Sequence, residues 1–422
     1  MNDWNQLYDV IAAIARTWKL PGVAWGIANP EGVMVEHFHG VLRQGIDRPV
    51  TADTVFCVAS IAKVVVALAV LHLVETGQLE LDDDVNDIIP ELRLPDTSDP
   101  ITIGSLLAHR SGLPDFTMRQ YADLLAHPDW TLEQYLKNSS PWRNAPEQRS
   151  FRYSNFGYDL LGRIIERVTS TPFIDYMDTL LQRLDMTDSS FAKPEHVEQV
   201  AWPHLRIPAL TPSATYPYSN LDAPSSSLHT TVRDMLKLYG NMSSVISPAM
   251  FETMTRVRSE RGYYPFYGGT GLGINIGRFA DEPVFSHGGM GFGFTAFYMI
   301  FPQRGVSAIL MCNEESYAHD QIYHAIASAI TDQPVPLSQP SWIVGLADIH
   351  QKQGLTAMFD TARRWRDEHP DQYQVDRYDL INLTYQMIVA DRQDILRDFL
   401  AGYLTLYPDD AEALDLVRQF DV

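Results

Sequence analysis

Ser60-Ile61-Ala62-Lys63 runs directly into Val64-Val65-Val66-Ala67-Leu68-Ala69-Val70-Leu71, with no polar interruption. A helix that is apolar on every face belongs in a protein interior. Residues three apart share a helix face, so Lys63 lies one turn from the Ser60 hydroxyl. An ammonium held there is poorly solvated and drifts toward the neutral amine, which can accept the serine proton. The stretch predicts a serine nucleophile with lysine assistance on the first turn of a buried helix. Strand-like Thr54-Val55-Phe56-Cys57-Val58 leads into it. Ser190-Phe191-Ala192-Lys193 repeats the spacing without that setting, because Asp188 and Ser189 precede it and Pro194 follows, so it reads as a surface loop.

The 422 residues can bury a full core and suffice for two or three domains. Hydrophobic residues at 45% and charged residues at 20% are ordinary for a globular chain. A net charge of −21 argues against nucleic-acid and anionic-membrane partners. Cys57 and Cys312 each sit in an apolar strand-like run and read as buried, reduced thiols with no zinc spacing around them. Met1-Asn2-Asp3-Trp4-Asn5-Gln6 lacks the basic start and apolar core of a secretory signal. No apolar run approaches the roughly 20 residues that cross a bilayer, and the expectation is a cytoplasmic protein.

Working outward, Trp4, Leu7, Val10, Ile11 and Ile14 recur at helical period until Pro21-Gly22. Val23 to Ala28 and Val33 to His39 read as a hairpin around Asn29-Pro30-Glu31-Gly32. Residues 101–210 read as short helices and loops, with one clear amphipathic helix after Asn155. Strand character returns at 271–312, where Pro302-Gln303-Arg304-Gly305 turns a second hairpin, and a helix spans about 316 to 331. The expected fold is α/β of the α+β type. An antiparallel sheet flanked by helices is assembled from about 1–75 and 265–333, with a helical insert over about 76–264. Pro334, Pro336 and Pro340 mark a linker to an all-helical extension, 341–422, with segments at Leu355–Glu368, Tyr378–Ala390, Ile395–Tyr407 and Ala411–Phe420. The boundaries His369-Pro370-Asp371 and Tyr407-Pro408-Asp409 resemble those of a tetratricopeptide-like hairpin pair. Such a tail is either a cap on the main domain or a contact between copies of the chain.

A Ser–Lys pair needs a third group to pass the proton onward and donors for the developing oxyanion. Tyr153-Ser154-Asn155, at a rigid junction before a helix, supplies a phenol whose pKa an adjacent ammonium would lower. It also supplies an amide able to bind Lys63 and a substrate carbonyl. Tyr218-Ser219-Asn220 and Tyr239-Gly240-Asn241 share the pattern but sit in a Pro/Ser-rich loop and at a helix end. His287-Gly288-Gly289, after the short strand Pro283–Ser286, is either a strand edge open to a substrate backbone or a glycine-rich turn. His109-Arg110-Ser111-Gly112-Leu113-Pro114 reads as a helix end and turn, with His109 structural. Asp82-Asp83-Asp84 reads as a solvated turn. No cofactor or metal is called for.

These motifs, in this order, resemble the serine β-lactamase-like superfamily, specifically the branch of class C β-lactamases, D-Ala-D-Ala carboxypeptidases, D-aminopeptidases and β-lactamase-like esterases. The resemblance covers about residues 8–330 and rests also on Leu106-Leu107-Ala108-His109 and Leu184-Asp185-Met186-Thr187-Asp188. It implies that Ser60 is acylated, Lys63 and Tyr153 share the proton transfers, and Asn155 positions substrate and Lys63. It further implies that the Ser60 and Met290 N–H groups form the oxyanion hole. Where β-lactamases carry Lys-Thr/Ser-Gly, this chain has His287-Gly288-Gly289, which removes a cation and a hydroxyl that grip the substrate carboxylate. The Ser-Asp-Asn and deacylating Glu of class A enzymes have no match. The expectation is an esterase acting on a small ester or amide. The alternatives are a D-amino-acid peptidase, a weak β-lactamase, acyl transfer, or an idle scaffold whose working surface is the tail.

Overall fold

Near-continuous apolar runs, whose side chains point alternately to two buried faces, build the centre of the sheet on which everything else rests. The structure, a computed structural model, describes residues 4–92, 100–131, 134, 150–195, 198–207, 209–263, 265–316, 318–337, 342–370, 373 and 377–420. Met1–Asp3, Pro340 and Asp371, named above, lie outside the described residues. Eight antiparallel strands form the main sheet. They are β1 (Gly22–Asn29), β2 (Gly32–Gly40), β3 (Ser259–Tyr263), β4 (Tyr267–Thr270), β5 (Asn275–Phe279), β6 (Glu282–Gly291), β7 (Phe294–Phe301) and β8 (Val306–Cys312). Their order is β2-β1-β8-β7-β6-β5-β4-β3, so the N-terminal hairpin joins the C-terminal strands through β1 against β8. This is the antiparallel sheet assembled from both ends of the segment.

Each face of the sheet feeds a separate core. Phe294, Ala296, Tyr298 and Ile300 of β7, with Ile309 and Met311 of β8, join one apolar cluster. Phe297, Met299 and Phe301, with Ala308, Leu310 and Cys312, join the other. The first core contains helix α2 (Ala62–Glu75), whose side chains from Ala62 through Leu71 are all buried. Helix α4 (Asn155–Thr169) packs there through Phe156, Tyr158, Leu160, Leu161, Ile164 and Ile165. The Ser154 hydroxyl caps α4 by accepting from Gly157 N–H at 3.1 Å. Cys57 and Cys312 are both buried and unpaired.

The second core holds α1 (Trp4–Thr17), α6 (Ala318–Ile330) and the C-terminal helices. α3 (Met118–Ala126) and α5 (Val232–Asn241) complete the helices used below. The tail comprises α7 (Trp342–Gln353), α8 (Leu355–Glu368), α9 (Arg377–Val389), α10 (Gln393–Leu406) and α11 (Ala411–Phe420). Phe359, Met387, Phe399 and Tyr403 of the tail belong to one cluster with Trp25, Phe297 and Leu310 of the sheet.

Three features differ from the sequence reading. The sheet begins at Ser259 rather than about 265, because β3 is an edge strand whose Ser-Glu-Arg-Gly-Tyr run carries no hydrophobic alternation. The tail opens with a further helix, α7, at Trp342. His287-Gly288-Gly289 is not a turn: β6 continues through it to Gly291, paired with Ala296 and Phe297 of β7. No helix among the described residues is long and apolar enough to cross a membrane.

Since tail and sheet share a core, Phe359→Ala should destabilise the whole chain by about 3–5 kcal/mol. Calorimetry should show one transition moved to lower temperature. A separate early transition for the tail would contradict this.

Candidate active site

The strand Phe56–Cys57 ends in a single 3₁₀ turn, Ala59–Ile61, that delivers Ser60 to the start of α2. Ala59 there has φ +44°. An alanine in left-handed backbone costs about 1–2 kcal/mol, so the turn is held rather than relaxed. Cys57 pairs with His229, Val58 N–H donates to Leu228 O at 3.0 Å, and β6 lies against the turn from the other side. A Cβ at Gly289 would stand 2.0 Å from Val58 O and 3.2 Å from Ser60 N, so only glycine lets the strand come this close.

Lys63 is fully buried, and its Nζ has three neighbours: Ser60 Oγ at 3.0 Å, Asn155 Oδ1 at 2.6 Å and Ser225 O at 2.7 Å. The last two are acceptors only. A neutral amine has two hydrogens and one lone pair; with the hydrogens given to Asn155 and Ser225, the lone pair faces Ser60. Burial lowers the Lys63 pKa to about 7, with Asp159, Asp115 and Asp222 holding it up against that penalty. The carboxyl groups are themselves raised by burial, Asp222 to about 7 and Asp159 well above the carboxylate range. The amine therefore sits poised between its two states near neutrality.

Asn155 is fixed by Asp115, whose two carboxyl oxygens accept from Asn155 N (3.0 Å) and Nδ2 (2.8 Å). This orients the amide with Oδ1 toward Lys63 and leaves its second Nδ2 hydrogen unused by Asp115. Tyr153 hydrogen-bonds the Ser60 hydroxyl, and its ring lies 5.0 Å from Lys63 Nζ. His109 stacks on Tyr153 at 4.3 Å, and its Nδ1 accepts from Ser154 N–H at 3.2 Å. The Tyr153 pKa is raised, not lowered as expected, because burial outweighs the help of the Ser60 bond. An amine of this kind can accept the serine proton in its neutral form, and a neutral phenol beside it can donate and accept in turn.

His287 is buried on the same face of β6 as Gly289. Its Nδ1 lies 2.8 Å from Gly288 O, and burial with the nearby Lys63 drives its pKa to about 3. It is neutral at any ordinary pH. A cation nevertheless stands close by. Arg261 of β3 lies over the rings of Phe151 (4.4 Å) and Tyr267 (5.3 Å), and its Nη1 donates to Asn275 Oδ1 at 3.0 Å. Its charge reaches both His287 and His109. Arg261 forms no ion pair among the described residues, and its buried Nε has no hydrogen-bond partner there.

Ser60, Lys63, Tyr153, Asn155, His287 and Gly289 thus lie around one site, while Gly288 and Met290 are on the same strand with their side-chain positions on its opposite face. Gly288 backs onto the Tyr267 hydroxyl, which a Cβ would meet at 2.7 Å. The look-alike motifs are elsewhere: Ser190 Oγ donates to Asp178 Oδ1 (3.0 Å), Tyr218 donates to Phe191 O (3.3 Å), and Tyr239 lies on α5. Asp83 and Asp84 accept from Glu80 N and Asn86 N, as turn and cap residues do. Asp115, Asp222, Ser225 and Arg261 escaped the sequence reading. Only Asp115 carried a usable signal, its place directly after Leu113-Pro114.

The sequence profile of the beta-lactamase family, described as "Beta-lactamase", matches residues 10–333. The chain belongs to the beta-lactamase family. That family's members are serine hydrolases. Esterase EstB of Burkholderia gladioli is 34% identical over 195 residues, 43% of this chain and 49% of the esterase. Penicillin-binding protein 4 of Amycolatopsis lactamdurans is 32% identical over 208 residues, 48% of this chain and 52% of that protein. The chain thus spans about half the length of these two relatives. The octameric penicillin-binding protein homologue from Pyrococcus abyssi superposes with a TM-score of 0.71 at 26% identity, covering 83% of this chain and 82% of that one.

The rate at which a fluorophosphonate modifies Ser60 should rise with pH through about 7 and fall about tenfold per unit below it, as Lys63 takes up its proton. Asp222 raises the Lys63 pKa, so Asp222→Asn should move that limb to lower pH. Tyr153→Phe should slow turnover on the order of 100-fold, whereas Tyr218→Phe should not.

Proposed function

We propose that this chain hydrolyses small esters through an acyl-enzyme on Ser60. The observation that carries the reading is the buried Lys63 amine, whose hydrogens are taken by Asn155 and Ser225 and whose remaining direction faces Ser60 Oγ at 3.0 Å. Ser60 Oγ bonds to the carbonyl carbon while its proton passes to Lys63. The carbonyl oxygen, now negative, is met by the Ser60 and Met290 N–H groups. The C–O bond to the leaving group then breaks, and that oxygen takes a proton through Tyr153. Water repeats the sequence on the acyl-enzyme, releasing the acid and restoring Ser60.

Ester over peptide is favoured by the neutral His287, which offers no charge where the family's lysine would meet a substrate carboxylate. The likeness to an esterase supports the same choice. A second reading has one specific observation behind it. Arg261 is a half-buried guanidinium without a carboxylate partner among the described residues, close to His287. A buried charge left unpaired is costly, and an incoming carboxylate would relieve it. Under this reading the substrates are acyl compounds with a carboxylate, including D-amino-acid peptides. Substrate chemistry is that of a small molecule in either case, and the C-terminal helices remain available as a contact between copies.

Fluorophosphonate should add once, on Ser60, and Ser60→Ala should abolish both labelling and turnover. A short-chain aryl ester should exceed benzylpenicillin in kcat/KM; the reverse ranking would refute the ester preference. Arg261→Gln should raise KM for a carboxylate-bearing ester at least tenfold while leaving a neutral ester within about twofold. Equal effects on both esters would remove the second reading.

A further inference from the structure

Strand β6 has two working faces. His287 and Gly289 face the Ser60 turn, and alternation sends Ser286, Gly288 and Met290 to the other side. On that side stands the C-terminal helix α9: Asn382 Nδ2 donates to Met290 Sδ at 3.6 Å. We infer that Asn382 is a positioning residue for this hydrolase, holding Met290 from behind and so setting the N–H that receives the substrate oxygen. The inference rests on the acyl-enzyme reading above and gives the tail a part in it.

A bond to a thioether is weak by itself. It belongs, however, to a set fixing the same turn. Asn382 also hydrogen-bonds the Glu315 carboxyl, whose Oε2 accepts from Gly293 N–H at 3.3 Å. One helical turn along α9, Gln386 Oε1 accepts from Arg206 N–H at 2.5 Å, and its Nε2 donates to Glu315 O at 3.1 Å. Asn382 and Gln386 are only 6% and 2% exposed. Buried amides are costly unless partnered, and these find their partners on the hydrolase part of the chain. A tail that served only as an apolar cap would present no such groups.

The turn they hold is one that needs holding. Gly291, Phe292 and Gly293 have φ of +147°, +57° and +84° in succession. Left-handed backbone at a phenylalanine persists only where its surroundings enforce it. The Phe292 ring meets Tyr121 of α3 at 6.0 Å, and Arg119 of the same helix donates to Gln419 O of α11 at 2.9 Å. The tail therefore reaches the Met290–Gly293 turn from two directions, directly through α9 and indirectly through α3.

The test uses the full chain, an aryl acetate as substrate and phenylboronic acid as the probe. The boronate forms a tetrahedral adduct on Ser60 whose oxygen lies where the substrate oxygen would. Removing an oxyanion donor outright costs 10²–10³ in rate, and displacing one should cost less. Asn382→Leu should lower kcat about tenfold with KM within about twofold, and weaken the boronate by a similar factor. Met290→Leu, which leaves the tail intact, should give the same loss, and the double variant should be no worse than either alone. Wild-type kcat and boronate affinity in folded Asn382→Leu would overturn the inference, as would additive losses. If Asn382→Leu fails to fold, Met290→Leu decides: wild-type boronate affinity there overturns the inference equally. A wild-type protein that takes neither boronate nor fluorophosphonate on Ser60 instead overturns the acyl-enzyme reading, and this inference with it.

Discussion

The desolvation of one amine is the constraint from which the rest of the site follows. On the proposed mechanism, Lys63 would remove the Ser60 proton near neutrality only with water kept from it on every side, and α2 is buried all round. Full burial alone would drive the amine too far toward neutrality and leave it a weak base. Asp115, Asp159 and Asp222 restrain that drift without touching Nζ. Ser60, Asn155 and Ser225 occupy its hydrogen-bonding directions, so its lone pair has one destination. The basicity of Lys63 is thus a balance between an apolar coat and three buried carboxyl groups.

The sheet carries that arrangement because it is two-sided. One face supports α2 and the serine turn; the other is buried under α1, α6 and the C-terminal helices. A strand covered on both sides cannot shift in register without exposing one of its two faces. β6 is such a strand at the point where it matters, with the glycine at 289 against Ser60 and the side chain of Met290 against α9. Packing on both sides thus fixes the path of β6 past Ser60.

How much of this the sequence disclosed depended on whether a residue's role is local. Ser60 and Lys63 were legible because an uninterrupted apolar helix with a lysine in its first turn has no ordinary explanation. Tyr153 and Asn155 stood out through the strong amphipathic helix they precede. His287-Gly288-Gly289 was ambiguous because glycines erase the alternation that marks a strand, and its pairing with β7 exists only in three dimensions. β3 went unseen for a related reason, since an edge strand of polar residues lacks alternation altogether. Asp222 and Ser225 act across 159 and 162 residues of chain separating them from Lys63, and no local pattern signals that, whereas Asp115, 52 residues away, was marked only by its place after Leu113-Pro114. The raised Tyr153 pKa was equally hidden, because it depends on how fully the ring is buried and not on what stands beside it in sequence.

The charge of the whole protein bears on which substrates the site can accept. At a net −21, long-range electrostatics would repel an anion. At physiological ionic strength, however, interactions between exposed charges fade beyond about 8 Å, while a half-buried charge is screened much less. Arg261, partly desolvated between two aromatic rings, would act at that short range. An anionic substrate would then arrive slowly but be held well, whereas a neutral ester would suffer no repulsion and gain nothing from the guanidinium. The two proposed substrate classes would be separated less by the serine chemistry they share than by whether the step that matters is reaching the site or staying in it.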